Sequence, residues 1–223
     1  MAGIVDIITL DGPSGCGKGT LSQKLADYLG YHLLDSGALY RIVGYRAAEL
    51  GHDLEDTAAL LRIIAEVEIC FKPSSQNEPA RILLSGHDVT DVVRSDETAK
   101  KASQIAGNKS VRAALLPMQQ NFAKAPGLVA DGRDMGTVVF PLAQHKLYLD
   151  ASEKVRAERR YAQLKQKGFC VSLRQIETEI AQRDHNDRSR KCSPLRPAAD
   201  AVIIDTSDMT VDQVFQTILS TLS

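Results

Sequence analysis

The chain has 223 residues and no uninterrupted apolar stretch of the ~18 residues that a membrane-spanning helix needs. Its N-terminus carries no basic segment followed by an apolar one, so no secretory signal is expected. The four cysteines, Cys16, Cys70, Cys170 and Cys192, include no CxxC pair, which argues against a zinc site. Without an export signal they are expected to stay reduced, in a cytoplasmic protein. Internal repeats, low-complexity tracts and a clear interdomain linker are also missing, so any second domain must be an insertion. Aromatic residues make up only 5%. The most basic segment holds two of them, Tyr161 and Phe169, a thin stacking surface for single-stranded nucleic acid.

What is present is ordinary for a globular chain, with 43% hydrophobic and 25% charged residues. This length suits one domain with insertions and buries roughly 70% of its unfolded surface. The net charge of −1 hides an asymmetry. Residues 154–196 hold 12 Lys or Arg against 5 Asp or Glu, whereas the last 27 residues hold four Asp and no Lys or Arg. A strongly basic segment in a near-neutral protein points to an anionic partner. On charge alone, nucleic acid, a small phosphorylated ligand and a merely solvated helix face all remain open.

Residues 4–10, IVDIITL, read as a buried strand. A Gly-rich turn follows, then a helix with Leu21, Leu25, Tyr28 and Leu29 on one face and Gly30 as its stop. Further core strands are predicted at Leu128–Ala130, Lys146–Leu149 and Ala201–Ile204, each ending at an Asp. Residues 152–167 predict an Arg-rich helix. Thr210 and Gln213 form a capping box for a last helix with Val211, Val214, Phe215, Ile218 and Leu222 on one stripe. Val67–Lys72, Arg81–Leu84 and His87–Thr90 break the alternation and predict a small antiparallel sheet, with PSSQNEP and SG as turns. Pro117 should kink the helix that starts near Ser110, or begin a new one.

Between first strand and helix lies Gly12-Pro13-Ser14-Gly15-Cys16-Gly17-Lys18-Gly19-Thr20, with the Gly-to-Gly-Lys spacing of a P-loop. Glycines let several backbone N–H groups turn inward, and the helix adds its positive N-terminal end. Lys18 can reach the β and γ phosphates, and a hydroxyl can hold Mg²⁺. Gly19 stands where Ser or Thr is expected, and Thr20 is one residue late.

The loop form with Gly after the Lys resembles nucleoside monophosphate kinases. LLDSGALYR (33–41), Ala102-Ser103-Gln104 with Val111-Arg112, DGRDMGTVVFP (131–141), and Gln182-Arg183-Asp184 with Asp187, Arg188 and Arg190 narrow it. In this order and spacing the chain resembles bacterial-type cytidylate kinases, from about residue 4 to 210. The resemblance implies an α/β fold: a P-loop NTPase-type parallel sheet flanked by helices, a small antiparallel monophosphate-binding insert, and a helical Arg-rich lid. It divides the chain into a core (1–39, 106–153, 192–223), an insert (40–105) and a lid with base-contacting segment (154–191). It implies ATP-dependent phosphorylation of CMP and dCMP, with Mg²⁺, by a cytoplasmic monomer that binds neither nucleic acid nor membrane.

Residue by residue, the resemblance puts Gly12 to Thr20 on the ATP phosphates. Ser36, Tyr40 and Arg41 lie along the CMP site, and Ser103, Arg183 and Asp187 around the cytosine. Arg112, Arg133 and Arg190 lie near the CMP phosphate, and Asp134 near the ribose. At least one of Arg156, Arg159 and Arg160, which share a helix face at i, i+3 and i+4, should reach the transferring phosphoryl group. Lys18 and Arg133 complete the catalytic set. Arginine suits two anionic substrates, because its planar fork pairs with phosphate oxygens and stays charged. A carboxylate at Asp187 can accept from the cytosine amino group but would face a carbonyl oxygen of uracil.

Plainer readings stand beside these. Asp131, at a strand end, could hold Mg²⁺ through water in the Walker-B manner or simply cap a helix, and Asp35 offers the same choice. Tyr40 could be core packing, and Arg112 could pair with a helix carboxylate. A kinase for uridylate or a non-nucleotide metabolite, and an ATP-binding module for RNA, are the rival functions.

Overall fold

The computed structural model describes residues 5–72, 80–166 and 168–222. In chain order the elements are β1 (Asp6–Asp11), α1 (Lys18–Leu29), β2 (His32–Asp35), α2 (Ser36–Glu49) and α3 (Thr57–Glu66). Then come β3 (Ile69–Lys72), β4 (Arg81–Leu84), β5 (His87–Asp88), α4 (Thr90–Val93), α5 (Asp96–Ile105) and α6 (Lys109–Gln120). β6 (Gly127–Gly132) runs into a π-helical turn (Met135–Val139), followed by β7 (His145–Asp150), α7 (Glu153–Gln166), α8 (Leu173–Ser189), β8 (Val202–Asp205) and α9 (Val211–Leu222).

The five-stranded sheet has the order β2-β6-β1-β7-β8, with every pairing parallel. Ile8, Thr9 and Leu10 are buried in succession, as a central parallel strand covered on both faces requires. In β6 the strand period of two splits neighbours between layers. Leu128 and Ala130 pack with α2, α3 and α6 residues such as Val43, Leu60 and Leu115. Val129 packs with Leu25 of α1 and Phe215 and Ile218 of α9. All five strands point their carboxyl ends the same way, and the phosphate loop, Asp35, Asp131 and Asp150 lie along that edge. Ligand crevices of open α/β sheets form there.

The second sheet, β3-β4-β5, is antiparallel and packs Ile82 and Leu84 on Ala38 and Ile42 of α2. Ser85 and Gly86 both have positive φ, 48° and 83°, as a two-residue type I′ hairpin needs. β5 ends at Asp88 rather than Thr90, because Thr90 starts α4 and its hydroxyl accepts from Ile82 N–H. Val67 belongs to the end of α3, so β3 starts at Ile69. The predicted PSSQNEP turn falls on residues 73–79, outside the described residues.

Pro117 does not begin a new helix but lies inside α6. Its missing N–H falls in the last turn, and Asn121 N–H still closes onto the Pro117 carbonyl at 3.0 Å. Tyr28 is 65% exposed rather than part of the buried face of α1, and meets Phe215 of α9 edge-on at 5.7 Å. Val211, at the start of α9, is also exposed. The capping box of α9 is as expected: Thr210 N–H donates to Gln213 Oε1 at 2.8 Å, and Gln213 N–H donates to Thr210 Oγ1 at 3.3 Å. α7 and α8 share a small core of Ala157, Leu164, Ile176 and Ile180.

Candidate active site

The chain turns from β1 into α1 through Gly12–Gly17. A Cβ on Gly12 would stand 2.0 Å from the Leu149 carbonyl oxygen, and its φ is +148°, so only glycine fits. Gly17 caps α1 without a side chain, which leaves the first-turn N–H groups to a ligand. Lys18 folds over the loop, donating to the Gly12 and Pro13 carbonyls at 2.8 and 2.7 Å. Burial, then the charge of Arg133, lowers its pKa. Cys16 is buried with Sγ 3.2 Å from the Pro13 carbonyl oxygen.

Asp131 lies beside this loop, its Oδ2 3.7 Å from where a Gly19 Cβ would stand. Burial raises its pKa to about 6 against the pull of Lys18, with Asp35 on the neighbouring strand adding to the rise. Asp35 itself caps α2, accepting from Ala38 N–H at 3.0 Å. Among the described residues no group of three or more His, Cys, Asp or Glu is placed to hold a metal ion. A divalent ion here would draw most ligands from phosphate and water, which is how Mg²⁺ is usually held beside nucleotides. Asp131 fits such a site; Thr20 is exposed in the first turn of α1.

A second group of buried charges adjoins the first through Arg133, which acts on both Lys18 and Asp131. Arg112 pairs with Asp134, donates to the Ala106 carbonyl at 3.0 Å, and lies 5.5 Å over the Tyr40 ring. Arg133 Nε donates to Asp187 Oδ2 at 2.9 Å, and Arg190 approaches the other Asp187 oxygen at 3.7 Å. Burial tends to raise the Asp187 pKa, but Arg133 and Arg190 outweigh it and hold it low. Among the described residues, Tyr40 Oη, Ser103 Oγ, and Arg190 Nε and Nη2 are buried without a hydrogen-bond partner. Thr9 Oγ1, Ser22 Oγ and Arg94 Nε are likewise buried without a partner, but Tyr40 and Arg190 stand out because they adjoin the paired Arg112, Asp134 and Asp187, where a polar ligand could engage them. Ser36 is already engaged, donating to Gln119 Oε1 at 2.8 Å.

A cavity of about 200 Å³ adjoins the phosphate loop at Ser14 and Gly15 and is lined by Arg41, Arg94, Arg160 and Arg183. Arg183 donates to Ser14 Oγ at 3.1 Å, so its guanidinium rests at the phosphate loop. Burial, then Arg133 and Arg41, lowers its pKa to about 10. Arg41 donates to the Val93 carbonyl, and burial lowers its pKa too. Four arginines around one cavity favour a bound anion, with Asp96 and Glu179 on the same wall offsetting part of their charge.

Arg156, Arg159 and Arg160 share a helix but not a destination. Arg160 pairs with Asp96 and lines the cavity. Arg159 donates to Thr206 Oγ1 and to the Thr206 and Met209 carbonyls, tying α7 to the loop after β8. Arg156 is only 1% exposed and pairs with Asp184 behind the phosphate loop, without itself lining the cavity. Shared spacing on a helix did not decide where three long side chains end.

Sequence reasoning gave no role to Asp11, Arg94, Asp96 or Asp184. Asp11 accepts from Met135 and Gly136 N–H at 2.8 Å each, pinning the turn that follows Arg133 and Asp134. Its position directly before the phosphate loop was the only local signal. Asp184 stands in the quoted Gln-Arg-Asp run, and only the fold reveals its partner.

A five-stranded parallel sheet, a phosphate loop after its central strand and an arginine-lined cleft adjoining that loop define a P-loop phosphotransferase. Sequence comparison narrows the class. The cytidylate kinase family model matches residues 8–223. A cytidylate kinase of Pseudomonas fluorescens is 50% identical over 97% of this chain and 95% of its own length. Those of Aeromonas salmonicida and Cupriavidus pinatubonensis are 47% and 48% identical, over 99% and 97% of this chain and 95% of their own length. The chain belongs to the cytidylate kinase family.

Proposed function

We infer that the protein transfers the γ-phosphoryl group of ATP to CMP and dCMP, giving ADP with CDP or dCDP. Family membership supports ATP as donor and cytidylate as acceptor. The observation that carries the residue assignment is the pair of buried, unpartnered groups of Tyr40 and Arg190 beside Arg112, Asp134 and Asp187.

Gly12 to Thr20 cradle the donor phosphates, and phosphate oxygens take over the Lys18 ammonium from the loop carbonyls. Arg112, Arg133 and Arg190 hold the acceptor phosphate. Asp134 takes the ribose hydroxyls. Ser103 and Asp187 surround the base, with Ser36, Tyr40 and Arg41 along the wall, while Arg183, expected at the base, rests on Ser14 of the phosphate loop. The acceptor phosphate oxygen attacks the γ-phosphorus in line, and no side-chain nucleophile is required. Arg133 and the cleft-lining Arg160 stabilise the moving charge. Mg²⁺ arriving with ATP would be held from the protein side by Thr20 and, through water, Asp131, and would neutralise charge between the phosphates. Closure of the insert (40–105) and the lid (154–191) over the core (1–39, 106–153, 192–223) excludes water.

Three arginines of the basic segment, Arg156, Arg183 and Arg190, turn inward instead of forming an exposed track. This favours a small phosphorylated ligand over RNA. No described helix is long and apolar enough to cross a membrane. We place the enzyme in the cytoplasm as a monomer, its four cysteines free as in the structure.

The test is ADP release with ATP and Mg²⁺ against CMP, dCMP, UMP, AMP and no acceptor, for the native protein and Asp187→Asn. Turnover is expected with CMP and dCMP, weakly with UMP, and near zero without acceptor. In Asp187→Asn the CMP-to-UMP ratio of kcat/KM should fall at least ~10-fold. A ratio equal to that of the native protein removes Asp187 from the base pocket.

A further inference from the structure

The buried Arg156–Asp184 pair takes no part in the transfer described above, yet it touches the phosphate loop directly. We propose that Asp184 is a positioning residue that, through Arg156, fixes the phosphate loop and couples its shape to occupation of the acceptor pocket. The inference rests on the kinase reading and deepens it.

Arg156 and Asp184 are each 1% exposed. Arg156 Nε donates to the Ala151 carbonyl at 2.9 Å. Its Nη1 donates to the Ser14 carbonyl at 2.9 Å and to Asp184 Oδ1 at 3.1 Å, and its Nη2 donates to Asp184 Oδ2 at 2.5 Å. Four of the five guanidinium N–H bonds are thus committed to the protein. A side chain so occupied is a strut and not a phosphate ligand. The strut bears on the loop in a second way. Gly15 has φ +84°, and a Cβ there would stand 3.2 Å from Arg156 Cβ, so α7 lies directly against the loop backbone.

The residue before Asp184, Arg183, grips the same loop residue, donating to Ser14 Oγ at 3.1 Å. Ser14 is therefore held at its carbonyl by α7 and at its hydroxyl by α8. One turn along α8, Asp187 holds Arg133, and Arg190 follows with its unpartnered guanidinium nitrogens. One rigid helix thus carries the acceptor-side groups and the clamp on the donor loop. An acceptor that fixes the far end of α8 also fixes the loop, because a packed buried pair does not deform gradually. The consequence is reciprocal: acceptor raises donor affinity by the same factor as donor raises acceptor affinity.

The test compares native protein, Asp184→Asn and the double variant Arg156→Met/Asp184→Leu. The double variant replaces a buried ion pair by apolar groups of similar volume, an exchange that is often tolerated. Binding of the magnesium complex of adenylyl imidodiphosphate is measured by calorimetry with and without saturating CMP, alongside steady-state kinetics with ATP. Native protein should show CMP tightening the analogue by at least ~5-fold, and both variants a ratio near one. kcat should fall ~10- to 100-fold, with KM for CMP and the Kd of CMP alone within ~2-fold of native. A structural role alone would lower Tm without abolishing the coupling ratio. If one variant does not fold, the other is read. Absence of coupling in the native protein, or its persistence in a folded variant, overturns the inference while CMP turnover leaves the kinase reading standing. Absence of native CMP turnover overturns that reading, and this inference with it.

Discussion

Asp11 sits at the end of the central strand, 3% exposed, with each carboxylate oxygen receiving one backbone N–H of the turn after β6. Burial raises its pKa to about 7 from 3.8, against the lowering effect of those two bonds; Asp134 adds to the rise and Lys18 opposes it. The folded pKa lies above the unfolded one, so between pH 4 and 7 the folded state keeps a proton that the unfolded chain releases. The stabilisation from this group is fully present below pH 4 and is lost as pH rises through 7. With these two values the loss between pH 5 and pH 8 is about 3 kcal/mol. Asp11→Asn removes the titration. It also sets an amide NH₂ against one of the two backbone N–H groups, costing about 1–3 kcal/mol at every pH. Native-minus-variant stability, from urea unfolding at pH 5, 6, 7 and 8, should therefore decline by about 3 kcal/mol across the series. The variant should also lose kcat/KM by ~10- to 100-fold, because the released turn carries Arg133 and Asp134. A native-minus-variant difference that is flat, or that rises with pH, would refute a buried carboxylate with a raised pKa.

Gly12→Ala should destabilise the fold by at least about 3 kcal/mol, since the new methyl meets a strand carbonyl at 2.0 Å and φ is +148°. Thermal unfolding at the native Tm would contradict this. Arg160→Ala should lower kcat ~100-fold or more with Tm little changed, because Arg160 lines the cleft and is partly exposed. Arg159→Ala should instead cost about 1–3 kcal/mol of stability through its lost bonds to Thr206 and Met209. Equal kcat losses in the two variants would show that the divergence of these side chains has no functional meaning.

The amino-acid sequence by itself determined the local pieces. The phosphate loop is legible because phosphate binding demands glycine, lysine and a helix start at fixed offsets within nine residues. Four of the five core strands show as short apolar runs ending in Asp, whereas β2 (His32–Asp35), only four residues long and without a β-branched side chain, does not read as a strand; the Thr210–Gln213 box writes the start of α9 into four residues. Family motifs supplied the acceptor arginines, again as short runs. Tertiary structure decided which charges meet. Asp11 and Gly136 are 125 residues apart, Arg112 and Asp134 are 22 apart, and Arg156 reaches both Asp184 and Ser14. Helical spacing puts Arg156, Arg159 and Arg160 on adjoining positions, but a long side chain goes wherever a partner is buried beside it. One found a carboxylate on α8, one the loop after β8, and one the mouth of the cleft. Burial also sets the electrostatics: Asp11, Asp131 and Arg183 carry shifted pKa values because the fold strips them of water and crowds charges around them. Neither desolvation nor distant partners leave a mark on neighbouring residues, which is why spacing reveals the phosphate loop and the fold alone reveals what holds it.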